Sequence, residues 1–259
     1  MNYQYVTVEK EDHLTIITLN RPEVMNALHP PAHVELGGIF DEFDADESAW
    51  VAIVTGAGER AFSAGNDLKV TASGETFTDL KWKGGFAGIT TRYDLTKPVI
   101  AAVNGVAMGG GFEIALACDI ILASDNALFA LPEPRVGLVA GAGGMHRLPR
   151  MVPFKYAMGM MLTGKRIDAK EAYRVGLVSE VVPQDKLMET ARRWAGEILE
   201  CAPISVRLSK QAAMANYHMS VEEAMQNPPS LFETFFHSED RIEGPVAFAE
   251  KRKPNWKGR

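Results

Sequence analysis

The chain has 259 residues, 46% of them hydrophobic, with a formal net charge of -6 and an isoelectric point near 5.6. A chain of this length can bury the core of one large domain, or of a domain with an appendage. Because the charge balance is acidic and no basic stripe offsets it, the composition argues against a nucleic-acid-binding protein.

Cysteine usage and apolar run length predict the compartment. Cys118 and Cys201 lie far apart and form no Cys-x-x-Cys motif, which predicts neither a disulfide framework nor a zinc site. The first nine residues lack the basic and apolar regions of a signal peptide. No apolar stretch approaches the roughly 20 residues that a membrane span needs. The sequence therefore predicts a cytoplasmic protein that does not act at a membrane.

The first 70 residues predict a hairpin, a helix and a buried strand. Residues 3–9 alternate, residues 14–19 are β-branched and apolar, and residues 11–13 form the turn between them. Residues 25–43 predict the helix, and residues 51–55 predict the buried strand. Residues 56–61 (GAGERA) match a relaxed dinucleotide-binding pattern, but turn-forming residues follow where that pattern requires a helix, so we reject it.

Residues 70–96 form the least regular region. Ser73-Gly74 and Gly84-Gly85 indicate loops, and Phe77, Trp82 and Phe86 add aromatic bulk. The segment is either a substrate-shaping element or a partly covered loop. Because long irregular segments in compact domains are often functional, the pattern favours the first interpretation.

The central feature is a strand (residues 99–103) that leads through a turn into Gly109-Gly110-Gly111 and a helix over residues 114–117. Glycines at a helix start let backbone N–H groups approach a ligand without a Cβ in the way. Those N–H groups lack intrahelical partners and lie at the positive end of the helix dipole, so they can hold a developing oxyanion. The alternative is a tight packing turn between strand and helix.

The remainder predicts mixed strands and helices to about Pro183, and helices alone after it. The predicted strands are residues 119–123, 127–131 and 178–182, and the predicted helices are residues 148–162, 167–173, 187–201, 205–216, 221–236 and 240–252. This shift predicts an α/β core over residues 1–195 and a helical C-terminal region over residues 196–259. The repeated strand-strand-helix rhythm in the core indicates stacked turns.

Two further patterns suggest sites that we reject. Residues 159–165 resemble a phosphate-binding loop, but Arg166 stands where Ser or Thr must ligate magnesium, and no strand precedes it. His29 and His33 are four residues apart, but the prolines between them spoil helical geometry and no third ligand is evident. We expect no metal site.

Two glutamates are candidates for acid–base chemistry. Glu113 falls in the first turn after the glycines, and Glu133 stands between Pro132 and Pro134, which stiffen the chain. Two positioned carboxylates beside an oxyanion site could hold one water and exchange its protons, and their like charges push at least one pKa up. The alternative is a dipole-compensating Glu113 and a surface Glu133, and spacing alone does not separate the two.

Several motifs in chain order resemble the crotonase (enoyl-CoA hydratase/isomerase) family, and together they cover essentially the whole chain. They are residues 61–69 (AFSAGNDLK), 97–119 (KPVIAAVNGVAMGGGFEIALACD), 129–138 (FALPEPRVGL), 141–144 (GAGG), 162–166 (LTGKR) and 239–254 (EDRIEGPVAFAEKRKP). The resemblance implies an α/β fold, a crotonase-like spiral of β-β-α turns with a C-terminal helical trimerisation region. It also implies a homotrimer or a dimer of trimers acting on an acyl-CoA thioester, with coenzyme A as part of the substrate and no other cofactor.

The resemblance also assigns roles to residues. Gly110 matches one oxyanion-hole donor, and Asn66 matches the other, where alanine is common and only the backbone N–H is used. Glu113 and Glu133 match the catalytic pair. The contacts to coenzyme A and substrate that the resemblance implies are made by Ala64, Asn66, Asp67, Leu68, Lys69, Gly110, Gly141, Phe248 and Lys251. Phe248 and Lys251 match positions that reach the coenzyme A of a neighbouring subunit.

This chain resembles the hydratases of the family in having both glutamates, and the resemblance therefore implies an enoyl-CoA hydratase. In the implied reaction, Glu133 activates a water that attacks C3, and Glu113 shares this water and manages the proton at C2. A carnitinyl-CoA (crotonobetainyl-CoA) dehydratase is a second reading, because the surroundings of Phe112 and the C-terminal tail resemble those enzymes, although they tend to carry tryptophan at the position of Asn66. An aromatic enoyl-CoA hydratase is a third, and a non-catalytic acyl-CoA-binding subunit represents a different class of function.

Overall fold

The structure is a computed structural model, and it describes residues 3–72 and 82–259. The strands are β1 (Val6–Glu11), β2 (Leu14–Leu19), β3 (Val51–Gly56), β4 (Ala61–Ser63), β5 (Val99–Val103), β6 (Val106–Met108), β7 (Ile120–Ser124), β8 (Leu128–Ala130), β9 (Ile167–Asp168) and β10 (Glu180–Val182). The helices are α1 (Pro30–Ala45), α2 (Leu68–Ala72), α3 (Gly110–Ala117), α4 (Gly144–Met151), α5 (Phe154–Thr163), α6 (Ala169–Arg174), α7 (Leu187–Leu199), α8 (Pro203–Ala215), α9 (Val221–Gln226), α10 (Leu231–His237) and α11 (Asp240–Glu250).

The described strands form two mixed sheets. The larger has the order β1-β2-β3-β5-β7-β10, and the smaller has the order β4-β6-β8-β9. In the larger sheet β1 and β2 pair antiparallel, with Glu11 opposite Leu14, which confirms the predicted hairpin. The strands β3, β5 and β7 are each followed by a strand of the smaller sheet and then by a helix. The predicted strand-strand-helix rhythm and α/β class are confirmed.

Both faces of the larger sheet are covered. One face and the smaller sheet share a core that includes the fully buried rings of Phe40, Phe62, Phe112 and Phe129. The other face packs on α7, through residues such as Ile53 and Ile100 of the sheet and the small buried side chains of the helix. Parallel strands buried on both faces are continuously apolar, which is why residues 51–55 and 99–103 show no alternation.

Proline accounts for the main differences from the predicted elements. The helix predicted over residues 25–43 begins at Pro30, because proline fits the first helical turn but not its interior. The helix predicted over residues 148–162 is divided into α4 and α5 before Pro153. The helix predicted over residues 221–236 is likewise divided into α9 and α10, at Pro228 and Pro229.

A further correction concerns residues 167–173, which begin as a strand. Ile167 pairs with Phe129 in β9, and the helix α6 starts only after Asp168, whose side chain accepts the Glu171 N–H. Ser73, Gly74 and Phe77 of the predicted substrate-shaping segment lie outside the described residues. Of the helices in residues 3–72 and 82–259, none combines the length and apolar character that crossing a membrane requires.

Candidate active site

The three glycines lie where β6 ends and α3 begins, and each is in close contact with another segment. A Cβ on Gly109 would lie 2.8 Å from a carboxylate oxygen of Glu133. A Cβ on Gly110 would overlap the ring of Phe86, and one on Gly111 would overlap the carbonyl of Ser63. The helix starts at Gly110 itself, earlier than the prediction of residues 114–117. The glycines therefore bring three other segments against the N-terminus of α3.

The loop after β4 is packed directly on this helix start. Gly65 has a φ of 86°, and a Cβ there would lie 2.7 Å from the Gly110 nitrogen. The next residue, Asn66, forms a parallel bridge with Leu28. The first amides of a helix have no intrahelical acceptor. The backbone near Asn66 and that of Gly110 therefore lie on neighbouring segments, where two N–H donors can serve one oxygen.

A buried asparagine that the sequence reasoning missed supports this loop. The Asn26 side chain donates to the carbonyls of Ala61 (2.8 Å) and Ala57 (3.0 Å), and its Oδ1 accepts the Arg21 N–H (3.0 Å). The Ser63 hydroxyl donates to the Asn26 carbonyl at 2.8 Å. The signal in the sequence is limited to an asparagine between Pro22 and Pro30. In the structure Asn26 has a φ of 54°, a left-handed conformation that asparagine adopts more readily than most residues.

Backbone hydrogen bonds join the same two segments. The Leu28 N–H donates to the Gly65 carbonyl at 2.7 Å, and the Asp67 N–H donates to the Leu28 carbonyl at 2.8 Å. The Asp67 carboxylate forms an ion pair with Arg21, with nitrogen and oxygen 3.2 Å apart. Main-chain bonds and a largely buried ion pair therefore fix the path of the chain on both sides of Asn66.

Glu113 is buried in the first turn of α3, with 3% of its surface exposed. Its Oε1 accepts the Gly144 N–H at 2.8 Å, at the start of α4, and the amide of Ala142 is a second donor. Burial, aided by the charge of Glu133, raises the pKa of Glu113 to about 7 against the opposing effect of the two amides. A carboxyl with this pKa exists in both protonation states near neutral pH, as a general acid–base catalyst must.

Glu133 begins a short 3-10 turn after Pro132 and is half-buried. Burial raises its pKa. One of its carboxylate oxygens lies above Gly109, and the other, Oε2, is buried without a hydrogen-bond partner in the part of the chain that the structure describes. Buried polar atoms are almost always paired, so an unpaired one indicates a place for water or a ligand.

The comparisons with known proteins assign this chain to a family. The model of the enoyl-CoA hydratase/isomerase family matches residues 9–259. The chain belongs to this family. It is 49% identical over 251 residues to a carnitinyl-CoA dehydratase of Citrobacter koseri, covering 94% of each chain, and 48% identical over 247 residues to one of Escherichia coli K12, with the same coverage.

Solved structures of the family share the whole fold. The structure of an enoyl-CoA hydratase from Mycobacterium tuberculosis H37Rv superimposes with a TM-score of 0.92 at 38% identity, over 98% of this chain and 99% of that one. The resemblance inferred from the motifs is therefore confirmed, together with the crotonase fold.

The structure brings only some of the predicted site residues together. Gly110, Glu113 and Glu133 converge at the start of α3, and the backbone of residues 64–67 adjoins them. Leu68 and Lys69 are exposed at the start of α2, and Gly141 is exposed before α4. Phe248 and Lys251 lie at the end of α11, and Phe248 is 86% exposed. The contacts and roles expected of all the predicted site residues stay predictions.

The described residues also bear on metal binding. Within residues 3–72 and 82–259, no three histidine, cysteine, aspartate or glutamate side chains cluster as a metal site requires. His33 is fully buried, and its Nδ1 accepts the Ala87 N–H at 3.0 Å, so this nitrogen is engaged by the fold.

Proposed function

We propose that this protein is a hydro-lyase that adds water to, and removes it from, the 2,3 bond of an acyl-CoA thioester, with a carnitinyl-type acyl group as its substrate. The observation that carries the proposal is the convergence of Glu113 and Glu133, both with raised pKa values, on the N-terminus of α3. Two carboxyls that can each hold or release a proton beside backbone donors suit proton transfer next to a thioester.

In the proposed mechanism the thioester oxygen accepts hydrogen bonds from the backbone N–H groups of Asn66 and Gly110. These bonds stabilise the enolate that forms when water attacks C3 during hydration, or when the C2 proton is removed during dehydration. During hydration Glu133 takes a proton from the water that attacks C3, and Glu113 delivers a proton to C2. During dehydration Glu113 removes the C2 proton, and Glu133 protonates the departing 3-hydroxyl group, so that water leaves and the double bond forms.

The relatives favour one acyl group over the rest. The motifs alone favour a general enoyl-CoA hydratase first and a carnitinyl-CoA dehydratase second. The 48–49% identity to carnitinyl-CoA dehydratases, against 38% to the hydratase of M. tuberculosis, supports the second. The difference at Asn66 is compatible with this substrate, because the oxyanion contact uses only the backbone N–H.

The test is turnover of crotonobetainyl-CoA beside crotonyl-CoA, followed by loss of the absorbance of the conjugated enoyl thioester. We expect faster turnover of crotonobetainyl-CoA, as well as its formation from carnitinyl-CoA. Glu133→Gln is expected to lower kcat by about 10²–10⁴ and to preserve acyl-CoA binding. Turnover of crotonyl-CoA alone would contradict the proposed acyl group. Tight binding without turnover of either thioester would contradict a hydro-lyase and support a binding subunit.

A further inference from the structure

Three aromatic side chains pack together beside the N-terminus of α3, and the mechanism above uses none of them. His33 belongs to α1, while Trp82 and Phe86 belong to the loop that precedes β5. The His33 ring stacks on Trp82 with centroids 4.0 Å apart and meets the Phe86 ring edge-on at 4.4 Å. The tip of the Phe86 ring in turn lies beside Gly110, at the position that a Cβ would take. We call His33, Trp82 and Phe86 the aromatic wall.

The loop that carries the wall is fixed to α1. The Ala87 N–H donates to His33 Nδ1 at 3.0 Å, and Ala87 has a left-handed φ of 54°. Arg92 donates to the Gly37 carbonyl at 2.7 Å and forms an ion pair with Asp41 at 2.7 Å. Because the chain after Phe86 is anchored to α1 at two places, the ring is held in one orientation against the oxyanion site.

The wall carries no positive charge at neutral pH. Burial, aided by the neighbouring His29, lowers the pKa of His33 to about 3, so the ring is neutral. The carboxyls of the adjacent site are Glu113 and Glu133, which carry negative charge when deprotonated. The cation that α4 contributes to these surroundings is Arg147, whose guanidinium is engaged by the Thr90 carbonyl at 2.8 Å. The wall itself is therefore neutral, and the face of the Phe86 ring is the part of it that attracts a cation.

We propose that Phe86 recognises the quaternary ammonium group of the acyl substrate by a cation–π contact and thereby selects it over an uncharged acyl group of equal size. This inference rests on the proposed function. The ammonium nitrogen of a carnitinyl-type acyl group is separated from the thioester carbonyl carbon by a short carbon chain. When the thioester carbonyl binds at Gly110, the ammonium nitrogen lies within reach of the Phe86 ring, which touches Gly110. A cation within about 6 Å of a ring centroid is attracted to the face of the ring.

The test compares crotonobetainyl-CoA with its uncharged isostere, 5,5-dimethylhex-2-enoyl-CoA, in which a carbon replaces the ammonium nitrogen. The quantity measured is the ratio of the two kcat/KM values. Phe86→Leu removes the π face and keeps an apolar side chain, and we expect it to lower the ratio about five- to thirtyfold. Phe86→Tyr keeps a π face and is the matched control, for which the ratio should change less than about twofold.

The kinetic outcomes separate this inference from the proposed function. If the wild-type protein turns over crotonobetainyl-CoA and Phe86→Leu leaves the ratio unchanged, the cation–π contact is refuted and the proposed function stands. If the wild-type protein turns over neither crotonobetainyl-CoA nor carnitinyl-CoA, both are refuted.

A binding measurement on a protein in which Phe86 is unchanged does not depend on whether the Phe86 variants fold correctly. The Glu133→Gln protein is expected to bind carnitinyl-CoA with little turnover, so the bound ligand can be observed by NMR. Its N-methyl protons should show an upfield ring-current shift and an Overhauser contact to the Phe86 ring. Absence of both signals from the bound ligand would overturn the inference.

Discussion

At the level of single residues, Glu113 and Glu133 differ in how their carboxyl groups are held. Glu113 accepts backbone N–H groups at the start of α4, whereas the Oε2 of Glu133 has no partner among the described residues. Glu113 is therefore fixed in position, and Glu133 keeps an acceptor for water. Burial raises both pKa values, so the pair can retain one proton near neutral pH.

The first prediction concerns the pH dependence of activity. Hydration needs a protonated Glu113 and a deprotonated Glu133, and dehydration needs the reverse, so both directions require one proton on the pair. We expect kcat/KM to fall as the pH rises above about 7, because the pair then loses the one proton that both directions need. The decline should be the same in both directions, because the overall reaction takes up no proton. Rate measurements from about pH 5 to about pH 9 would check this. A flat profile across this range, or limbs that differ between directions, would contradict it.

The second prediction concerns stability. Folding raises the pKa of Glu113 from 4.5 to about 7. The protonated Glu113 carboxyl therefore contributes its full share of the folding stability below the unfolded-state pKa, and this share is lost as the pH rises through the folded-state pKa. Glu113→Gln removes this loss and can still accept the Gly144 N–H. We expect the variant to be more stable than the wild type by about 1–3 kcal/mol at about pH 8, with the difference shrinking towards about pH 4.

Urea unfolding at about pH 4.5 and at about pH 8 would measure both differences. Glu133→Gln is the matched control, because Glu133 is only half-buried and the expected gain at the higher pH is smaller. Equal stability of wild type and Glu113→Gln at the higher pH would show that the two backbone amides offset the penalty of burying the charge.

At the level of elements, the site depends on the contact between the loop after β4 and the start of α3. The sequence of neither segment determines by itself where the other segment lies. The segment before α1 holds the loop in place, through Asn26 and through backbone bonds at Leu28. The geometry of the proposed oxyanion site therefore depends on three segments that are distant in the chain.

The third prediction tests this support. Asn26→Ala leaves the buried carbonyl of Ala61 and the Arg21 N–H without these partners, and it places alanine at a left-handed φ. We expect a loss of about 1–3 kcal/mol in the free energy of unfolding, and a fall in kcat that exceeds any rise in KM. Asn26→Asp keeps the acceptor for Arg21 but buries a carboxylate oxygen against the carbonyls of Ala57 and Ala61, so its loss should be at least as large. Denaturant unfolding and steady-state kinetics would check both. A stable Asn26→Ala protein with normal kcat would contradict the supporting role.

At the level of the whole molecule, the C-terminal helices leave large apolar side chains exposed. These include Met214, Tyr217, Val221, Met225, Ile242 and Phe248. An open groove lies between α8, α10, α11 and the C-terminal tail, lined partly by Phe235 and Trp256. Exposed apolar surface of this extent is typical of an interface. It supports the prediction that residues 196–259 form an oligomerisation region.

The fourth prediction is that the protein assembles into trimers or hexamers. Sedimentation equilibrium should therefore give a mass about three or six times that of the 28.3 kDa chain. Glu133→Gln should give the same mass, because its side chain lies in the proposed active site. A mass of one chain at micromolar concentration would contradict the assembly, and it would also remove the basis for a role of Phe248 at a neighbouring subunit.

The amino-acid sequence alone was sufficient to predict the main strands and helices of the core in their order. It also offered Glu113 and Glu133 as a pair beside a glycine-rich helix start, although spacing alone did not separate this from a dipole-compensating and a surface role. It also identified the family, because motifs such as residues 97–119 are spread over the chain in the right order. The features that predict elements are local: apolar runs, turn residues and glycines act within a few positions. The errors were local as well, at prolines that divide α4 from α5 and α9 from α10.

The meeting of residues that are distant in the chain followed only from the packed fold. The Gly144 N–H donates to Glu113 across 31 positions in the chain, and the Phe86 ring reaches Gly110 through a loop that α1 holds. Burial depends on such packing, and so do the pKa of about 7 at Glu113 and that of about 3 at His33. Local patterns cannot predict these values, because desolvation is the sum of contacts that the whole fold makes.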